Sequence, residues 1–267
     1  MRRRRLLGAL CCLFALGFVV SASMAVRTIV RAADERSAFD ELAERVNSAL
    51  YLPVPVAELA EGAEAEPSAS VETEPHREVI DGLVAACRTL QAEQPDFAAW
   101  LKIENAGVDL PVMATEDYIC RAFDGSGSSS GTPFIGEGGG LDSGVFIIYA
   151  HNMKNGTMFG SLDAYRGAQF RDENPVFSLT TTEERREYEV FAAVETRVLN
   201  EGENGLRWYW MSGDPDETER AELIDWLLAE SLYDSGIRPE EGEQLLLPAT
   251  CSCHTSNGRL VVAARRI

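Results

Sequence analysis

Three residues in this 267-residue chain have the types and placement for acyl transfer through a thioester: Cys251, Arg259 and His151. The stretch Gln244–Ala249 and the stretch Leu260–Ala264 are apolar runs that read as buried strands, with Gly258 as a turn residue between them. Cys251 therefore stands where one strand ends and Arg259 where the next begins. His151 follows a third apolar run, Gly144–Ala150. Three strand ends can deliver a thiol, a guanidinium and an imidazole to one small volume.

The chemistry explains why these residue types are wanted. A free thiol has a pKa of about 8.5, and a neighbouring His⁺ or Arg⁺ stabilises the thiolate that is the actual nucleophile. The thiolate attacks a carbonyl, histidine protonates the departing amine, and arginine donates to the oxyanion. Of the three histidines, His76 lies in an acidic stretch and His254 is only three residues from Cys251. His151 is the candidate that remains. Cys253, two residues beyond Cys251, keeps other readings open: a Cys251–Cys253 disulfide is cramped, and a zinc site with His254 lacks a second ligand pair. The expectation is no metal and no cofactor.

The elements that position these residues follow a membrane-targeting segment. Arg2–Arg5 precede an uncharged run, Leu6–Val26, long enough as a helix to cross one hydrocarbon core. A secretory signal peptide is the competing reading, with Ala22-Ser-Met-Ala25 as its cleavage signal, but the run's length favours an uncleaved anchor. The arginines then put residues 1–5 in the cytoplasm and the bulk of the chain outside. Formal net charge is −19, and beyond the four leading arginines it is −23. Such a field repels nucleic acid and anionic lipid. Four cysteines lie outside the anchor, Cys87, Cys120, Cys251 and Cys253, too sparsely spaced for a disulfide scaffold.

Residues 27–76 read as a juxtamembrane helix, apolar at Phe39, Leu42, Val46 and Leu50, followed by an acidic Pro/Ala/Glu spacer from Pro53 to Pro75. Helical spacing resumes over Arg77–Glu93, with Cys87 on its apolar face, and Pro95 ends it. Short strands then take over at Trp100–Ile103, Val108–Met113, Val145–Ala150, Val176–Thr181 and Glu187–Leu199. The Gly/Ser-rich stretch 124–140 reads as a mobile loop around a short apolar piece, Pro133–Ile135. Met158–Tyr165 reads as a turn or two of helix. Glu217–Tyr233 is an amphipathic helix with Pro215 and Asp216 before it. The count of about eight strands predicts a mostly β, largely antiparallel closed barrel. Pro248 cannot donate to a sheet ladder and predicts an edge or a bulge.

Four segments resemble the sortases, membrane-anchored cysteine transpeptidases of Gram-positive bacteria, and in particular their class B branch. They are Asp96–Ile103 with Val108–Val112, Ile148-Tyr-Ala-His151-Asn-Met-Lys-Asn-Gly-Thr-Met-Phe159, Ala249-Thr250-Cys251, and Arg259-Leu-Val-Val262. The helix Glu217–Tyr233 is similar to an insertion typical of class B. The resemblance covers residues 77–267 and implies an eight-stranded sortase-like barrel with N-terminal helices and a helix inserted before the cysteine strand.

Carried over by position, it makes Cys251 rather than Cys253 the nucleophile, His151 the general acid and Arg259 the oxyanion donor. Ala249 and Thr250 fall at substrate-binding positions, although the family usually has a hydroxylated residue where Ala249 stands. The implied reaction cleaves a C-terminal sorting signal, of the Asn-Pro-x-Thr kind in many class B members. The acyl group then passes to an amine of a peptidoglycan precursor or a pilin. A thiol peptidase releasing the acyl group to water, or a binding module that has lost its chemistry, are the alternatives. Intact Cys251, His151 and Arg259 weigh against the second.

Overall fold

A computed structural model describes residues 2–48, 74–153, 155–251 and 257–267 of the chain. The acidic spacer, apart from Glu74 and Pro75, lies outside those residues, as do Cys253 and His254. Two compact units are present, Met1–Asp40 and Glu41–Ile267. The first is the greater part of helix α1 (Arg2–Ser48), which runs through both the expected anchor and the expected juxtamembrane helix without a break. Its apolar side chains from Leu16 to Val30 are exposed, and among the described residues it is the one helix long and apolar enough to cross a bilayer.

The second unit is a closed barrel of eight strands: β1 (Phe97–Ile103), β2 (Val108–Met113), β3 (Phe134–Ile135), β4 (Val145–Ala150), β5 (Val176–Thr181), β6 (Arg185–Arg197), β7 (Leu245–Cys251) and β8 (Gly258–Arg266). Their order around the barrel is β1-β2-β3-β4-β7-β8-β6-β5, and β5 pairs back to β1. Six pairings are antiparallel; β2–β3 and β4–β7 are parallel. The mostly β, closed eight-stranded barrel expected from the sequence is therefore what forms. The bend expected in β6 is a bulge at Val190–Ala192.

Pro248 behaves differently from expectation. β7 is an interior strand between β4 and β8, and its register with β8 does not shift. Pairing runs through Leu246↔Ala264 and resumes at Ala249↔Val261, so the ladder is simply interrupted at Leu247 and Pro248. A missing donor is accommodated by a gap rather than by a bulge.

Helix α2 (Glu74–Glu93) lays Val84, Cys87 and Leu90 against the barrel. Cys87 donates its thiol to the Thr180 carbonyl at 3.5 Å, and burial pushes that thiol up to about 12. It is an inert core residue. The short helix α3 (Ala168–Glu173), which the sequence reading lacked, follows a 3-10 segment, Phe159–Arg166, at the expected helical turns.

Helix α4 (Glu217–Ala229) begins with a capping box: the Asp216 carboxylate accepts from the Thr218 and Glu219 N–H groups, and Glu219 accepts from the Asp216 N–H in return. Leu223, Ile224 and Leu227 then pack on the barrel's outer face with Trp208 and with Val145, Ile147, Leu245, Leu247, Ala249, Val261 and Ala263. The helix stops four residues before the expected Tyr233. There the backbone switches partners: the Leu232 N–H donates to Ala193 and Ser231 bridges to Val194 on β6. The helix packs on β4, β7 and β8 as well as on β6, and the backbone clamp ties its end to β6. Leu227→Ala opens a cavity beneath it and is expected to cost about 2–5 kcal/mol, measurable by denaturant titration.

Candidate active site

The parallel pairing of β4 and β7 brings two chain segments a hundred residues apart to one level. Their last paired residues are Ala150 and Thr250, so His151 and Cys251 are the next residue on each strand. On the other side of β7, Cys251 is paired with Arg259 of β8. Neighbouring strands lie roughly 4.8 Å apart, so the three predicted positions form a row across adjacent strands at one end of the sheet. Residues 252–256 lie outside the described residues.

Thr250 fixes the level of the strand ends. It is 1% exposed and its hydroxyl donates to the Ala150 carbonyl at 2.9 Å, tying β7 to β4 one residue before the candidate pair. Its hydroxyl is thus engaged within the sheet, and Ala249 is wholly buried in the cluster beneath α4. Thr250→Val removes that donor and is expected to lower stability by about 1–2 kcal/mol, read in the same denaturation experiment.

His151 is half-buried, and its Nε2 lies 2.8 Å from the Ile119 carbonyl oxygen. A carbonyl only accepts, so Nε2 carries the proton. The following loop is closed by a bridge between Asn152 and Met158 and by the Phe159 N–H donating to the His151 carbonyl. Met158 takes up the positive φ of 54° that this closure requires. Gly160 lies so near the Met153 carbonyl that a Cβ would stand 2.4 Å from its oxygen.

Arg259 is partly exposed, and its guanidinium donates to the Gly258 carbonyl at 2.9 Å and the Asn257 carbonyl at 3.4 Å. A cavity of about 80 Å³ lies between it and His151, walled by Ile119, Ser130, Thr132 and Thr250, with Tyr149 and Phe134 also lining it. Their rings pack 5.8 Å apart, and the Tyr149 ring also meets Trp208 at 6.5 Å. Burial pushes the Tyr149 phenol up to about 12, with Arg259 acting in the opposite sense. At neutral pH the phenol is an uncharged group beside the guanidinium.

Ser130 and Thr132 come from the stretch expected to be a mobile loop, and the structure corrects that expectation. Ser128, Ser130 and Thr132 are buried. Ser128 Oγ accepts from the Ser130 and Gly131 N–H groups, and the Thr132 hydroxyl donates to the Arg121 carbonyl. A Gly/Ser composition here supplies close packing and local hydrogen bonds. Sequence reasoning also missed Tyr149, although a residue two positions before His151 on a strand shares its face. Ile119 had no signal, because the atom that matters is a backbone carbonyl.

A closed mixed barrel whose parallel β4 and β7 lead into a histidine and a cysteine defines a class, and the chain belongs to it: the sortase domain family matches residues 101–267, and the protein is a sortase-type cysteine transpeptidase. The particular likeness is to class B. Sortase B of Listeria monocytogenes is 26% identical over 189 residues, 67% of this chain and 73% of that protein. Among solved structures, a Staphylococcus aureus sortase B–substrate complex superposes with a TM-score of 0.69 at 17% identity, covering 89% of this chain and 98% of the other. Clostridium perfringens sortase B gives 0.58 at 22% identity, over 67% and 98%.

Proposed function

We propose that Cys251 is the nucleophile of this transpeptidase, His151 its general acid and base, and Arg259 its oxyanion donor. The substrate is a C-terminal sorting signal of the Asn-Pro-x-Thr kind on a surface protein or pilin. The Cys251 thiolate adds to the threonine carbonyl, and the C–N bond to the next residue breaks as the imidazolium gives its proton to the departing amine. An amine of a peptidoglycan precursor or pilin then attacks the thioester and loses its proton to the now neutral imidazole. The thiolate departs, and the amide is restored on a new partner.

One observation carries this reading: the shared register of Ala150↔Thr250 and Cys251↔Arg259, which sets the three positions side by side. That the S. aureus sortase B has been solved as a substrate complex supports a substrate site on this fold. The exposed apolar side chains of α1 support an N-terminal single-pass anchor; in this reading residues 6–26 span the membrane, 1–5 are cytoplasmic, 27–76 are a juxtamembrane helix and acidic linker, and 77–267 are the catalytic domain outside. The test incubates the full chain in detergent micelles with a quenched Asn-Pro-x-Thr peptide, with and without a glycine-type amine, and identifies products by mass spectrometry. Amine captured on the threonine is the expected result. Water alone captured on it points to the thiol peptidase instead.

A further inference from the structure

The acceptor behind His151 is the Ile119 carbonyl, in the 3-10 turn Glu116–Cys120. Contacts on both sides of that peptide fix it. Tyr118, 2% exposed, donates its phenol to the Asp96 carboxylate at 3.0 Å. The Tyr118 carbonyl accepts from the Thr132 N–H at 2.9 Å, and the Cys120 carbonyl from the Ser128 N–H at 3.0 Å. Gly131 closes directly on the turn. A Cβ at Gly131 would lie 2.4 Å from the Ile119 oxygen and 2.9 Å from its carbonyl carbon, and its φ of +62° is one that favours glycine. The Gly/Ser segment therefore presses on the very carbonyl that holds the imidazole.

We propose that Gly131 and the Tyr118–Asp96 pair are positioning residues that lock the Ile119 carbonyl as the fixed acceptor for His151, so that Nδ1 is the nitrogen that gives and regains the catalytic proton. This rests on the general-acid reading of His151. With Nε2–H committed to a carbonyl in both the neutral and the cationic ring, the exchangeable proton resides on Nδ1. The carbonyl dipole stands where acyl-transfer sites elsewhere place a carboxylate. No carboxylate is found among the described residues lining this cavity, where the titratable or charged side chains besides His151 are Arg259 from β8 and Tyr149 from β4. The Asp117–Arg121 pair on the turn itself is exposed, 3.7 Å apart. Burial and then the Asp96 bond push the Tyr118 phenol up to about 12, so the clasp keeps its donor across the working pH range.

The test uses the full chain in detergent micelles, labelled with ¹⁵N-histidine. Only three histidines are present, so single replacements of His76 and His254 assign His151. The expected neutral ring is protonated at Nε2 and bare at Nδ1. Gly131→Ala weakens that tautomer preference and lowers kcat for peptide cleavage by about tenfold or more with little change in KM. Tyr118→Phe acts in the same direction to a smaller extent. Gly125→Ala is the control: its φ of +81° imposes similar backbone strain, but nothing lies within 4 Å of its Cβ position, and both readouts stay at wild type.

An Nδ1–H tautomer in the wild type overturns the proposal. So do folded Gly131→Ala and Tyr118→Phe variants with unchanged spectra and kcat. If Gly131→Ala does not fold, Tyr118→Phe decides alone. The general-acid reading fails by a different result: full turnover by His151→Gln, with the tautomer of the wild type still Nε2–H.

Discussion

Cys251→Ala is expected to abolish thioester formation and peptide cleavage while leaving the barrel folded. The backbone of residue 251 is already placed by its pairing with Arg259 and by the Thr250 hydroxyl one residue earlier, neither of which needs the thiol. Alanine at the last position of β7 therefore keeps the ladder. What it removes is the sulfur that, in the proposed reaction, holds the acyl group between the two half-reactions. Intact-mass spectrometry after mixing with peptide checks this: the wild type gains the acyl mass and the variant does not. Unchanged cleavage by Cys251→Ala sinks the assignment. Cys253→Ser keeps its activity under reducing conditions; a dead Cys253→Ser beside an active Cys251→Ala means that the thiols have been assigned the wrong way round.

If Arg259 is the oxyanion donor proposed, Arg259→Lys is expected to lower the acylation rate by about 10²- to 10³-fold, the usual loss when one such donor is removed. Charge is conserved, so the loss isolates geometry. The guanidinium reaches back from the start of β8 to the Gly258 and Asn257 carbonyls. Both bonds come from one guanidinium nitrogen, and Arg259 also lines the cavity. An ammonium has no second, rigidly spaced donor to offer once it has met those carbonyls. Single-turnover acylation measured with saturating peptide separates this loss from weaker binding. Near-normal acylation by Arg259→Lys means that the arginine merely packs. Stability changes little, because the side chain is partly exposed and its partners are backbone atoms.

The barrel was legible in the sequence where apolar runs were sharply bounded. Gly144–Ala150 and Gln244–Ala249 differ from β4 and β7 by only a residue or two at their ends. The candidate residues were legible because they terminate those runs, and strand ends are where a side chain escapes the core. Periodicity cannot say which strands are neighbours. The parallel β4–β7 pairing that aligns His151 with Cys251 is a tertiary fact. The Gly/Ser segment misled for a related reason: Ser128, Ser130 and Thr132 have a loop's composition, but their hydrogen bonds to the turn before them make the stretch part of the packed wall. Pro248 misled too, because the rule against proline in interior strands concerns hydrogen bonds rather than space. A barrel sealed from outside by Leu223, Ile224 and Leu227 tolerates one broken rung.

The topology also sets the order in which activity can arise. β4 reaches its parallel partner only after α3, β5, β6 and α4 have been made, and β7 and β8 are the last strands along the chain. They occupy the gap between β4 and β6, and they bring the candidate nucleophile and the candidate oxyanion donor with them. A chain made from its N-terminus onward therefore presents the histidine segment early but lacks the full candidate site until the gap is filled. Contacts this distant in sequence form slowly. An unfilled gap meanwhile presents the bare edges of β4 and β6, the surface of the growing chain most open to wrong pairing. In this protein, completing the active site and closing off its aggregation hazard are one event.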